Sequence, residues 1–409
     1  MKKSLFIMFI SFSLVLSACS TDNSTKKGNE YSGKSDFIEE PTVENTTSDQ
    51  VRVVSKNSKH LDLYNKLDET VTHYEEYYDF SGAVYVGMEG EEIFSKTFGK
   101  ADYDKDTPNT LDTKFMMALV TKQFTAAAIL LLEERGLLEL DRQVTDYIPE
   151  ITQWEGITIH HLLSMSSGIV NSDHRKLLEN INKFLESSDE YLESNITPML
   201  TPEESIVIYK DIPLNFKPGE RYEYSNSNYL ILGLIIERIS GIPYEKFLEE
   251  NIFEPLGMPN SGYSIDWDIQ DNKAIGWYKK SQFENEVYPI HFDYLVYHSA
   301  GGLYTTINDL VTWDRALYSE KLLKKETIAK MYASYTKISS YEEYGYGWFT
   351  NGDAVEHSGS VPGFISHIYR DLDTELVIII LSNNESLVGG VLDILTNNLK
   401  KLLKMNGDD

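Results

Sequence analysis

The sequence predicts an α+β fold: an antiparallel sheet built from the two ends of the chain, flanked by terminal helices, with an all-helical region inserted in the middle. Three observations predict it. β-Hairpin patterns occur near residues 82–98 and again near 364–382. Helical signals fill most of the stretch between them. Amphipathic patterns precede the first hairpin and follow the second. The chain has 409 residues, 41% hydrophobic and 25% charged, which supports a sizeable core and excludes global disorder.

From about His60 to Tyr78, the residues Leu63, Leu67, Val71, Tyr74 and Tyr78 recur at helical spacing. Gly82–Gly87 and Glu92–Phe98 flank a Glu89-Gly90 turn and read as the first hairpin. Val120–Arg135, closed by Gly136, reads as a buried Ala- and Leu-rich helix with a glycine C-cap. Further helices are expected over Tyr229–Ile239 and Tyr244–Asn251. Phe364–Tyr369 and Leu376–Ser382 straddle Asp371–Thr374 as the second hairpin. A last helix carries Val388, Val391, Leu392, Leu395, Leu399 and Leu402 on one face. This organisation predicts a folded domain over 58–405, with its sheet part at about 58–112 and 290–405 and its helical part at about 113–289. A site is expected in the cleft between the two parts.

The first nineteen residues end in Leu16-Ser17-Ala18-Cys19 after two lysines and an apolar run. They read as a secretory signal over 1–18, too short for a permanent membrane span. The tetrapeptide resembles the bacterial lipobox, which implies lipidation of Cys19 and anchoring of the mature chain at the outer face of the cell membrane. Residues 19–57 are polar and read as a flexible tether. With one cysteine, no internal disulfide forms and Cys-rich zinc or iron–sulfur sites are excluded. The 64 acidic against 37 basic residues give a net charge of −27, which repels nucleic acid. The histidines show no metalloprotease spacing. No cofactor is expected.

Three segments carry chemistry: Phe115–Thr125, with Leu119 three residues before Lys122; Tyr224-Ser225-Asn226; and His357-Ser358-Gly359-Ser360. Together they resemble the serine β-lactamase and penicillin-binding-protein family, especially its class C and D-alanyl-D-alanine carboxypeptidase branch, which carries Ser-x-x-Lys, Tyr-x-Asn and Lys/His-x-Gly in this order. Further matches are Ile159–Leu163 through Ile169, Phe216–Gly219, Ala300–Leu303 and Tyr344–Trp348. The resemblance implies a cleft in which Lys122 and Tyr224 share the general-base task. It implies that Asn226 orients substrate amides and that the strand at His357 and Gly359 lines the other wall. The backbone N–H groups of residue 119 and Ser360 would form the oxyanion hole. Tyr224 serves as a base only with cations beside its phenolate, and Lys122 and a protonated His357 are the candidates.

One position departs from that pattern. The nucleophile position holds Leu119, which has no lone pair and forms no acyl-enzyme. Removing the nucleophile of another serine hydrolase costs about 10⁶ in turnover. Thr121 lies roughly 200° round the helix from it and points away; Ser225 lies beside the cleft without being a nucleophile in the family. His160 and His161 head a helix and read as structural. The first reading is therefore an impaired member of the family that keeps a cleft for a peptidoglycan-related or D-amino-acid-containing ligand. A second is an active D-Ala peptidase, esterase or β-lactamase with a substitute nucleophile. A third is a surface interaction module whose cleft is vestigial.

Overall fold

The computed structural model describes residues 58–172, 177, 179, 180, 206–209, 211–280, 286–293, 297–387 and 390–405. The signal segment, Cys19, the tether and Val388 lie outside the described residues.

Eight strands form one antiparallel sheet, ordered Thr336–Lys337, Glu343–Tyr344, Phe349–Asn351, Ala354–Val361, Phe364–Asp371, Leu376–Ser382, Gly82–Met88, Glu91–Phe98. The first hairpin joins the last across Gly82↔Ser382 to Gly87↔Val377, so the two chain ends close one sheet as expected. Strand alternation sends neighbouring side chains to opposite faces. Val84, Val86, Ile378 and Ile380 pack under the terminal helices Ser58–Tyr78 and Val391–Met405, against Leu67, Val71, Leu395 and Leu399. Ala83, Tyr85, Ile379 and Leu381 face the other way, into the larger core shared with the inserted region.

The centre of that larger core is the helix Thr121–Glu134, whose residues from Thr121 to Leu132 are all buried. Gly136 follows at φ +70°, the left-handed conformation that suits glycine past a helix end. A second buried helix, Asn226–Ser240, begins three residues before the expected Tyr229 and is capped by Gly241 at φ +76°. The polar Asn226-Ser227-Asn228 start escapes an apolar periodicity search.

The inserted region is mainly helical, with one correction. It holds the two-residue strands Phe115–Met116 and Gly262–Tyr263, which flank Leu303–Thr305 in a small sheet, and a ribbon of Trp277–Tyr278 with Tyr288–Pro289. Two residues are too few to show a period. These pairings arise because the chain must be fixed immediately before the buried helix.

Candidate active site

Three walls meet at the start of the buried helix. Phe115–Met116 pins the entry to it, and Met117 donates its N–H to Leu303 O at 2.9 Å while its own carbonyl accepts the Ser366 hydroxyl at 2.6 Å. Ala118 then adopts φ +49°, a left-handed conformation that costs a non-glycine residue about 1–3 kcal/mol and persists only where the surroundings enforce it. A single 3₁₀ turn, Ala118–Val120, presents Leu119 half-buried above Lys122.

Two glycines make room for that turn. A Cβ on Gly359 would lie 2.5 Å from Leu119 N and 2.9 Å from Ala118 Cβ. A Cβ on Gly301 would lie 3.4 Å from Leu119 Cδ2. Leu119 therefore has its backbone against the third motif and its side chain against the Ala300-Gly301-Gly302 segment. The strand Ala354–Val361 pairs with Phe349–Asn351 only through Ala354–Glu356, so among the described residues the edge from His357 to Val361 on that side has no strand partner. Along it, Val355 and Val361 join the larger core, whereas Ala354 packs on the terminal-helix side. By alternation His357 and Gly359 face the cleft, and the Ser358 and Ser360 side chains face away. Only the backbone of Ser360 is placed to serve the cleft.

Lys122 is fully buried. Its Nζ donates to Asn226 Oδ1 at 2.7 Å and to Ala300 O at 2.9 Å, and lies 5.2 Å and 5.5 Å from the ring centres of Tyr224 and Tyr229. Among the described residues it makes no ion pair. Carbonyl oxygens and ring faces favour an ammonium, but burial outweighs them and holds the amine well below the ordinary lysine range. Asn226 is itself set by Asn171, whose Oδ1 accepts the Asn226 N–H at 2.8 Å.

Burial acts on the other two groups in the same sense, favouring their uncharged forms. Burial pushes the Tyr224 phenol well above its ordinary range, helped by Tyr222 and Tyr229, and among the described residues its buried hydroxyl has no hydrogen-bond partner. His357 Nδ1 faces Ser358 O at 2.7 Å, so Nδ1 carries the proton and Nε2 accepts from the Tyr344 hydroxyl at 3.2 Å. Burial, and next the nearby Lys122, lower His357 to about 3. Burial thus opposes the positive charge that the sequence reading assigns to Lys122 and a protonated His357 beside Tyr224. Burial is the largest cause at all three groups, and it disfavours the charged form of each.

The substitute nucleophiles are committed elsewhere. Thr121 Oγ1 accepts the Leu303 N–H at 3.3 Å, on the far side of the helix, and the buried Ser225 hydroxyl donates to Val170 O at 3.2 Å. His160 and His161 head the helix Ile159–Leu163: His161 completes a capping box with Thr158, and His160 Nδ1 meets the Tyr346 hydroxyl at 2.7 Å. The Tyr344–Trp348 segment also braces the site. Gly347 is at φ +79°, and a Cβ there would lie 2.8 Å from Lys122 O. Sequence reasoning gave no role to Asn171, to the Ala300 carbonyl or to Tyr344. For the last two, short motif matches were the available signal; Asn171 follows such a match at Ser167–Ile169.

A lysine three residues after Leu119, second in a buried helix and faced by Tyr-x-Asn and a His-x-Gly strand edge, is the motif arrangement of the serine β-lactamase and penicillin-binding type. The chain belongs to that family: the family profile described as Beta-lactamase matches residues 67–397. It is 29% identical to penicillin-binding protein 4* of Bacillus subtilis over 76% of this chain and 69% of that protein. It is 28% identical to Protein flp of Staphylococcus aureus over 80% of this chain and 64% of that one. Among solved structures, the octameric penicillin-binding protein homologue from Pyrococcus abyssi superposes with a TM-score of 0.68 at 31% identity, covering 79% of this chain and 74% of that one.

Proposed function

We propose that this chain is a lipid-anchored protein of the cell envelope that binds a wall-derived, D-amino-acid-containing acyl ligand and does not turn it over. One observation carries the reading. Leu119 occupies the centre of the site, while Lys122, Tyr224, Asn226 and His357 remain assembled round it. A hydrocarbon there cannot attack a carbonyl, and the Thr121 and Ser225 hydroxyls are bound to backbone groups instead. The strained Ala118 backbone supports retention of the cleft, because strain of this kind persists where a fold enforces it. The membrane attachment rests on the Leu16–Cys19 lipobox resemblance.

Restoring the hydroxyl tests the site. Leu119→Ser, incubated with a fluorescent penicillin and with an uncharged p-nitrophenyl ester, is expected to gain a covalent acyl adduct on residue 119 by intact-protein and peptide mass spectrometry. The natural chain is expected to gain none. An adduct on any atom of the natural chain would restore the active-enzyme reading. No adduct on either chain would favour the interaction module. For the anchor, Cys19→Ala is expected to move the protein from the membrane fraction to the medium; retention in the membrane fraction removes the lipoprotein reading.

A further inference from the structure

The strained turn before Leu119 is held from beneath by a hydroxyl. On the strand Phe364–Asp371, Ile365 and Tyr369 face the terminal helices, whereas Phe364 and Ile368 face the larger core. Ser366 lies between the last two on the core face and is buried. A hydroxyl in such a place costs free energy unless it is bonded. It donates to Met117 O at 2.6 Å. The same carbonyl accepts the Val120 N–H at 3.2 Å, and the Met117 N–H goes to Leu303 O at 2.9 Å. Met117 is thus fixed on both sides of its Cα, and the chain passes from it into the helix through Ala118 at φ +49°.

Gly359 is the cross-strand partner of Ser366. A Cβ on Gly359 would lie 2.8 Å from Ser366 Oγ as well as 2.5 Å from Leu119 N. The glycine of the His-x-Gly edge therefore clears a path for the hydroxyl and lets the Leu119 nitrogen come against the strand. As the second residue of a one-turn helix, Leu119 has an N–H with no carbonyl inside the turn to bond. The family resemblance assigns that N–H to a ligand carbonyl. Because the peptide unit is planar, φ and ψ of Ala118 decide where it points. The donor belongs to the backbone, so a leucine side chain leaves it in place.

We propose that Ser366 is a positioning residue for the ligand carbonyl: by clamping the Met117 carbonyl it keeps Ala118 left-handed and aims the Leu119 N–H into the cleft. The inference rests on the ligand-binding reading above and names a residue on which that binding depends. A left-handed alanine reverts unless its surroundings hold it, and Ser366 is the side chain that holds this one from the sheet.

Two measurements test it. Met117-Ala118 is the only Met-Ala pair in the sequence, so the natural chain labelled with ¹³C-carbonyl methionine and ¹⁵N-alanine gives one inter-residue NMR cross-peak. Ser366→Ala is expected to displace that cross-peak while the far-ultraviolet circular dichroism stays the same. In the Leu119→Ser background, Ser366→Ala is expected to slow acylation by the uncharged p-nitrophenyl ester at least about tenfold. It is also expected to raise the infrared stretching frequency of the acyl carbonyl, which a well-aimed donor lowers. Adding Ala118→Gly, which adopts the left-handed backbone without a Cβ penalty, is expected to recover at least about threefold in rate. An unmoved cross-peak, or a moved one with acylation rate and carbonyl frequency unchanged, overturns the role of Ser366 and leaves the cleft reading standing. No recovery with Ala118→Gly overturns the route through Ala118. Absence of an adduct on Leu119→Ser itself, with Ser366 intact, removes the cleft reading and this inference with it.

Discussion

His357 and His367 lie on neighbouring strands and on opposite faces of the sheet, and both are almost fully buried. Their surroundings drive them apart. His367 sits between Glu356 Oε2 at 3.4 Å and Asp393 Oδ1 at 3.5 Å, and these two carboxylates, against the cost of burial, raise it to about 9. His357 meets a carbonyl and a phenol, and burial lowers it to about 3. The same contrast recurs between the two buried cationic side chain types. Arg370 Nε is 2.6 Å from Asp314 Oδ1, whereas the Lys122 amine meets only neutral oxygens. Away from the cleft, the buried His367 and Arg370 each have a carboxylate. Inside it, among the described residues, His357 and Lys122 are buried without a carboxylate, and burial lowers both.

The largest test of this contrast is the pH profile of stability. His357 is depressed below its unfolded value of 6.5. Its contribution is therefore present above that pH and is lost as pH falls toward 3, where only the unfolded chain takes up the proton. A shift of that size corresponds to as much as about 5 kcal/mol. His367 is raised, so its contribution is full below 6.5 and is lost as pH rises through about 9. That arm corresponds to about 3 kcal/mol. Urea denaturation across pH 4–10 is expected to show His357→Gln flattening the acid arm and His367→Gln flattening the alkaline arm. If either substitution leaves its own arm unchanged, the two-faced assignment fails.

Much of the site was legible in the sequence because its parts are short and local. Lys122 lies one helical turn from Leu119, Asn226 stands two residues from Tyr224, and Gly359 stands two residues from His357 on a strand. Each spacing is set by backbone geometry rather than by the rest of the fold. The hairpins at both ends were legible for the same reason. The charge states were not. Whether Lys122 meets a carboxylate depends on which residues the fold brings to it, and Asn226 and Ala300 lie far along the chain. Asp393 reaches His367 only because the last helix packs on the sheet. The two-residue strands beside Leu303 were hidden because their order comes from tertiary pairing, without a period of their own.

The smallest expected effect is the most pointed. If the Lys122 amine is a functional inheritance with little structural worth, Lys122→Met should change folding stability by no more than about 1 kcal/mol. Methionine fills much of the same space and removes the cost of burying an amine. Against that stands the loss of two hydrogen bonds to Asn226 Oδ1 and Ala300 O, each worth about 1 kcal/mol net. Arg370→Met is the control. It strands the buried Asp314 carboxylate and should cost roughly 3–5 kcal/mol. Denaturation of the two variants side by side, read with adduct formation in a Leu119→Ser background, separates the roles. Lys122→Met should abolish acylation of residue 119 while leaving the fold almost untouched. A stability loss at Lys122 as large as that at Arg370 would mark the amine as a structural element and would end the argument that the cleft has been kept for a ligand.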